Sequence, residues 1–171
     1  MTHKPQKTPR RGQWLIHLGV IVVVIVGLQW WRALPLATGT APPLAGDLVA
    51  GGHFDLGAPR ERPILVYFWA SWCPVCRMSN GEIDALAAEH PVITVAMQSG
   101  SEADLRAYLS REDLSFPVLS DPDGAVSHRW GVPAVPTSFV VDPDGSIRFS
   151  SVGYTTGAGL RARLWAARAL D

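Results

Sequence analysis

The sequence predicts an α/β domain, a central mixed β-sheet flanked by helices, preceded by one N-terminal transmembrane helix. Three observations predict it. An uncharged apolar run lies near the N-terminus. Strand-like apolar runs then alternate with amphipathic helical patterns and close on a hairpin. The only two cysteines, Cys73 and Cys76, sit where one strand gives way to a helix.

The apolar run, Trp14 to Trp31, reads WLIHLGVIVVVIVGLQWW and has Arg10 and Arg11 before it and Arg32 after it. Its 18 residues rise roughly 27 Å as a helix, enough to cross a hydrocarbon core. Tryptophans at both ends suit the two interfaces, and the basic cluster suits the cytoplasmic side. His17 falls near that side, where one polar group costs little. The reading is a cytoplasmic basic tail (1–13), a membrane anchor (14–31) and an extracytoplasmic remainder, which puts the protein in the cytoplasmic membrane with its domain on the periplasmic side. A cleaved signal peptide, with small residues in ATGTA, is the main rival. A twin-arginine signal and a buried core helix are weaker ones. Both secretory versions leave the compartment unchanged.

Residues 32–46 are uncharged past Arg32 and rich in Pro, Ala, Gly and Thr, and read as a linker. The domain is then 47–171. From residue 47 on there are ten arginines, no lysine and fifteen acids, a net charge of −5. Such a domain offers no basic surface to nucleic acid, and that partner class is set aside.

Within the domain, HFDL (53–56) is a short strand. PILVYFW (63–69) is a strand of the kind buried on both faces. A helix follows from Pro74 to about Ala88, with Ile83, Leu86 and Ala87 on one face; Gly81 inside it costs about 1 kcal/mol relative to Ala and leaves room for a kink. VITVAM (92–97) is a second buried strand. Residues 101–113 form a helix whose Ser101 and Asp104 resemble a capping box. FPVLS (116–120) is a strand ended by the turn DPDG, and a short helix covers 125–130. TSFVVD (137–142) and SIRFSSV (146–152) flank a second DPDG and form an antiparallel hairpin. A last helix, 156–170, carries Leu160, Leu164 and Ala167 on one face.

Two cysteines three apart close too small a loop to act as a useful staple. Zinc needs four ligands, and there is no second cysteine pair, while His3, His17, His53, His90 and His128 are scattered. Arg77 after Cys76 excludes the CxxCH pattern of covalent haem. Copper(I) held by two thiolates stays open as a non-enzymatic alternative. Redox chemistry explains the context better. Pro74 suits the first helical position. Cys73 is then the N-cap, where unpaired N–H groups and the helix dipole favour a thiolate. Cys76 lies one turn on, deeper in. Cys73 attacks a disulfide and Cys76 resolves the mixed disulfide. A peroxidase would need a peroxidatic cysteine in its own motif, and none is seen.

FWASWCPVC resembles the active-site segment of the thioredoxin superfamily. FPVLSDPDGAVSHRWGVPAVPTSFVVDPDGSIR (116–148) resembles the second signature of its membrane-anchored TlpA/ResA/DsbE-like branch. The CPVC motif is most similar to ScsD-type proteins of the copper-sensitivity suppressor group. The resemblance implies a thioredoxin-like fold over 47–171 and a protein disulfide oxidoreductase whose only redox group is the Cys73–Cys76 pair, with no cofactor and no metal. It implies a cis peptide before Pro136, with Val135 offering its backbone to an extended substrate and Thr137 following. Trp69 and Trp72 match aromatic positions that cover the disulfide, core packing alone being an equal explanation for Trp69, and Pro74 and Val75 tune it; Trp69 and Thr137 join Val135 as the implied substrate contacts. The implied role is reduction, in cytochrome c maturation or thiol protection under copper stress, with a membrane thiol-transfer protein such as DsbD or CcdA as electron donor. A disulfide oxidant is the reverse possibility.

Two positions depart from the pattern. Tyr67 stands where thioredoxins often carry a buried carboxylate, and Ser79 where many ResA-like proteins carry a glutamate. Glu82, one turn beyond Ser79, is placed to substitute in part but reads better as a solvated helix residue, so no general base is assigned.

Overall fold

The computed structural model describes residues 11–33 and 36–169. Two compact units divide the chain, 1–34 and 35–171. The first contains α1 (Arg11–Ala33), which includes the segment expected to span a membrane. Side chains of α1 are described at Trp14 and at 17–27, and the apolar ones among them are exposed. Among the described residues no helix is long and apolar enough to cross a membrane. The side chains at 15, 16 and 28–31 of the expected span, and the tail over 1–10, lie outside the described residues.

The second unit begins before residue 47, which corrects the expected linker. Leu36 and Leu44 are buried. The amide of Ala37 donates to the Trp130 carbonyl (3.0 Å) and that of Ala41 to the Gly145 carbonyl (2.8 Å). Then β1 (Ala45–Asp47) pairs antiparallel with β2 (His53–Asp55) in a small hairpin of its own. A short uncharged stretch rich in Pro and Ala has no periodicity to announce this. Leu36 and Leu44 are buried by tertiary packing, which local propensity does not announce.

The main sheet has the order β5-β4-β3-β6-β7. Its strands are β3 (Ile64–Trp69), β4 (Val92–Met97), β5 (Val118–Asp121), β6 (Thr137–Val141) and β7 (Ile147–Val152). The β3–β4 and β4–β5 pairs are parallel, and β3–β6 and β6–β7 are antiparallel. The expected hairpin is therefore present, and the sheet is mixed. Every residue of β3 is buried, as its unbroken apolar run requires.

Alternation sorts β3 into two cores. Leu65, Tyr67 and Trp69 join Ile83 and Leu86 of α2 (Pro74–Ala87), Leu105 and Tyr108 of α3 (Glu102–Arg111), and Leu160 and Leu164 of α5 (Gly157–Ala169). Phe68, on the other face, packs with Phe139 and with Trp130, which ends α4 (Ala125–Arg129). The capping box of α3 is formed as expected: Ser101 Oγ accepts from the Asp104 amide, and Asp104 Oδ2 accepts from the Ser101 amide (2.8 Å). Gly81, where the sequence leaves room for a kink, lies in a helix that runs without interruption, and a Cβ there would meet nothing within 4 Å.

Candidate active site

Parallel strands β3 and β4 end side by side, with Trp69 opposite Ala96, and in sheets of this kind ligands are met beyond the C-terminal strand ends. The chain leaves β3 after Trp69 and turns through 70–72. It enters α2 with Cys73 as N-cap (φ −88°, ψ 113°) and Pro74 in the first turn, where its missing N–H costs nothing. Cys73 Sγ accepts a hydrogen bond from the Cys76 amide at 3.2 Å, sulfur taking the part of the usual capping oxygen. No acidic residue lies in the first turn of α2, so nothing neutralises the positive helix end facing that sulfur.

The two thiols are unbonded, with sulfurs 2.6 Å apart. Cys73 is 5% exposed and Cys76 fully buried, so an incoming group meets Cys73 first. Burial, and then the hydrogen bond with Cys73, push the Cys76 thiol well above its usual value.

Across from Cys73 the Val135–Pro136 peptide is cis. The Val135 carbonyl is 3.6 Å from Cys73 Sγ, Val135 is half-buried and Pro136 buried. Thr137, expected to face substrate, does not: it is fully buried, and its Oγ1 donates to the Ala134 carbonyl at 2.7 Å, closing the turn that presents Val135.

Trp69 is likewise corrected from a substrate contact to a core residue. It is fully buried between Tyr108 and Phe116, with its indole N–H on Thr94 Oγ1 (3.1 Å). A strand buried on both faces has no polar side to show which residues look toward the site. Trp72 is the exposed aromatic (57%), its indole N–H held by the Gln98 carbonyl at 3.0 Å. With Val75 (41%) and Met78 (76%) it forms an apolar rim beside the buried sulfurs.

Sequence reasoning missed the loop after β4. Besides the Gln98 contact, Ser99 Oγ accepts from the Ser71 amide (3.0 Å) and donates to the Met97 carbonyl (2.9 Å), so this loop fixes the turn that carries Trp72 and Cys73. No motif marks these residues. Met78 was equally unmarked; only its spacing of three from Val75 hinted at a shared face.

The two departures from the family pattern meet. Tyr67 Oη and Ser79 Oγ are 2.7 Å apart and buried. Burial holds the Tyr67 hydroxyl well above its ordinary value, against the smaller opposing effect of the Ser79 hydrogen bond. Glu82 is not a freely solvated residue: its carboxylate accepts from the Gly157 amide (2.7 Å) and from the Tyr154 hydroxyl (3.3 Å), at the start of α5. Among the described residues no group of three or more His, Cys, Asp or Glu converges to hold a metal.

Comparison with known proteins bears on the same region. The AhpC/TSA family model matches residues 38–150. A thioredoxin-like protein of Haemophilus influenzae is 38% identical over 117 residues, 67% of this chain and 70% of its own. A homologue of the thiol:disulfide interchange protein DsbE from Paracoccus denitrificans is 34% identical over 138 residues, 74% of this chain and 77% of its own. Among solved structures, a Chlorobium tepidum protein assigned as DsbE superposes with a TM-score of 0.69 at 28% identity, over 78% of this chain and 99% of its own.

Proposed function

The chain belongs to the AhpC/TSA family within the thioredoxin-like superfamily, and from that premise we propose that it is a membrane-tethered reductant of protein disulfides outside the cytoplasm. It is a thiol–disulfide oxidoreductase of the DsbE, ResA and StoA type. The observation that carries the finer reading is the pairing of a slightly accessible Cys73 at a helix N-cap with a wholly buried Cys76. An asymmetric pair of this kind suits an attacking and a resolving thiol.

In the proposed reaction, the Cys73 thiolate attacks one sulfur of a substrate disulfide. A Cys73–substrate bond forms and the other substrate sulfur leaves as a thiolate. Cys76 then attacks Cys73 Sγ, the Cys73–Cys76 bond forms, and the second substrate sulfur leaves. Two electrons pass from the dithiol to the substrate, and the two thiol protons end on the product thiols. Trp72, Val75 and Met78 supply an apolar rim for the flanking polypeptide. The half-buried Val135 backbone, beside Cys73, suits pairing with an extended segment. Pro74 starts the helix, and Pro136 shapes the turn opposite.

The uncharged run 14–31, read as a membrane anchor, supports tethering. Reduction outside the cytoplasm draws electrons from a membrane thiol-transfer protein of the DsbD or CcdA kind, which tethering keeps near. The CPVC sequence supports an ScsD-type assignment, with cytochrome c maturation or copper-stress thiol protection as the setting. The deciding experiment is the equilibrium reduction potential of the full chain in redox buffers, followed by tryptophan fluorescence. A value of about −270 mV or lower supports the reductant; a value of about −120 mV makes the protein an oxidant. A Cys76→Ala variant is expected to accumulate mixed disulfides with substrates, and failure to trap any overturns the assigned roles.

A further inference from the structure

The two positions that depart from the family pattern described above, Tyr67 and Ser79, are hydrogen-bonded to each other, next to the resolving cysteine. Tyr67 comes from β3 and Ser79 from the second turn of α2, twelve residues apart, with their oxygens 2.7 Å apart. Both side chains are almost wholly buried. Ser79 Oγ also donates to the carbonyls of Val75 and Cys76, each at 3.1 Å. A hydroxyl has one proton to give. With the Ser79 proton on those carbonyls, Tyr67 is the donor between the two. The chain of donation therefore runs in one direction: Tyr67 hydroxyl to Ser79 hydroxyl to the peptide oxygens of the Val75–Cys76 turn. It fastens the turn that holds Cys76 to the central strand.

Besides Ser79, three groups act on the Tyr67 hydroxyl. Cys73 and Cys76 lie on α2, and Tyr108 reaches in from α3. Tyr108 is itself flanked by Arg77, Asn80 and Glu112. Glu82, the nearest acid along α2, is engaged at the start of α5. No carboxylate is among the groups acting on Tyr67, and both hydroxyls stay neutral through the physiological range.

We propose that Tyr67 and Ser79 are positioning residues for the resolving cysteine, a neutral hydroxyl relay that sets how fast Cys76 closes on Cys73 without a titrating base. The proposal rests on the dithiol reading above and concerns its second step alone. In that step the Cys76–Cys73 bond forms and the Cys73–substrate bond breaks. The proton of Cys76 goes to the departing thiolate or to solvent, not to a carboxylate of the protein. An error in the placement of Cys76 slows this step and leaves the first attack by Cys73 untouched.

The test uses the reduced full chain mixed with an aromatic disulfide that releases a coloured thiolate at each step, so that one stopped-flow trace gives attack and resolution separately. Tyr67→Phe removes a single oxygen, and Ser79→Ala breaks the relay at its middle. Each is expected to slow the second phase at least tenfold and to leave the first within twofold. The double variant is expected to be no slower than either single one, because both break the same chain. Ser79→Thr keeps the hydroxyl and is expected to recover most of the rate. The wild-type second phase is expected to rise with pH without a carboxylate inflection between pH 4 and 7. A second phase unchanged in both single variants overturns the proposal. So does equal slowing of both phases, or an inflection in that range. A wild-type protein that shows neither phase instead overturns the dithiol reading itself.

Discussion

Glu82 offers a sharp test of where this protein keeps its charge. Its carboxylate projects from the CxxC helix but is spent on α5, accepting from the Gly157 amide at 2.7 Å and the Tyr154 hydroxyl at 3.3 Å. Gly157 opens that helix, so the carboxylate both pairs an N–H that has no intrahelical partner and opposes the positive helix end. Glu82→Ala removes both effects. A charged hydrogen bond contributes about 1.5–3 kcal/mol and a charge at a helix end about 0.3–1 kcal/mol, overlapping here, so a loss of about 2 kcal/mol is expected. For a domain of this size that lowers Tm by roughly 8 °C. Glu82→Gln keeps an acceptor oxygen, and about half the effect is expected. Thermal unfolding followed by circular dichroism measures this, alongside insulin reduction at 25 °C, where turnover is expected within twofold of wild type. An unchanged Tm with a tenfold loss of turnover would refute the reasoning and make Glu82 a participant in the cysteine chemistry.

The corrected domain boundary gives a second expectation. A chain starting at residue 47 loses the burial of Leu36 and Leu44, about 2 kcal/mol each, so its urea midpoint is expected well below that of a chain starting at residue 36; equal midpoints would return 36–46 to a linker. A third concerns pH. Cys76 and Tyr67 keep their protons in the fold beyond 9.0 and 10.0, the values at which they are released when unperturbed. The unfolded chain therefore binds fewer protons in that range, and stability falls as pH rises. The reduced protein is expected to hold its full stability below pH 9 and lose it above, more steeply than the oxidised protein, which lacks the Cys76 share. Parallel curves for the two redox forms, from urea titrations at pH 7, 9 and 10.5, would contradict this.

Much of the site was legible because its signals are local. A buried strand, a CxxC and a proline in the first helical turn fall within fourteen residues, and the hairpin and the α3 capping box are equally short-range. Pro136 was reached through resemblance, its bond to Val135 being cis as the family pattern implied. What escaped depends on distant partners. Trp69 and Thr137 were assigned to substrate through the resemblance, and strands buried on both faces lack the alternation that would have told inside from outside. Tyr67 and Ser79 each read as a missing carboxylate; that they bond each other is a fact of the β3–α2 packing. Gln98 and Ser99 carry no motif at all, and their role comes from lying beside the 70–72 turn.

The register between β3 and β6 has one more consequence. Phe68 is opposite Thr137, so the strand that leads into Cys73 and the strand that follows Pro136 are sewn edge to edge. Some sixty residues separate the two halves along the chain, yet one antiparallel seam fixes their distance. Everything between leaves the seam on one side and returns to it. The exposed turn between α3 and β5, around Asp113 (φ 53°), can therefore lengthen, shorten or acquire new surfaces with little effect on the spacing of thiol and proline. The fold thus separates a fixed reaction centre from a surface turn that can change without disturbing it.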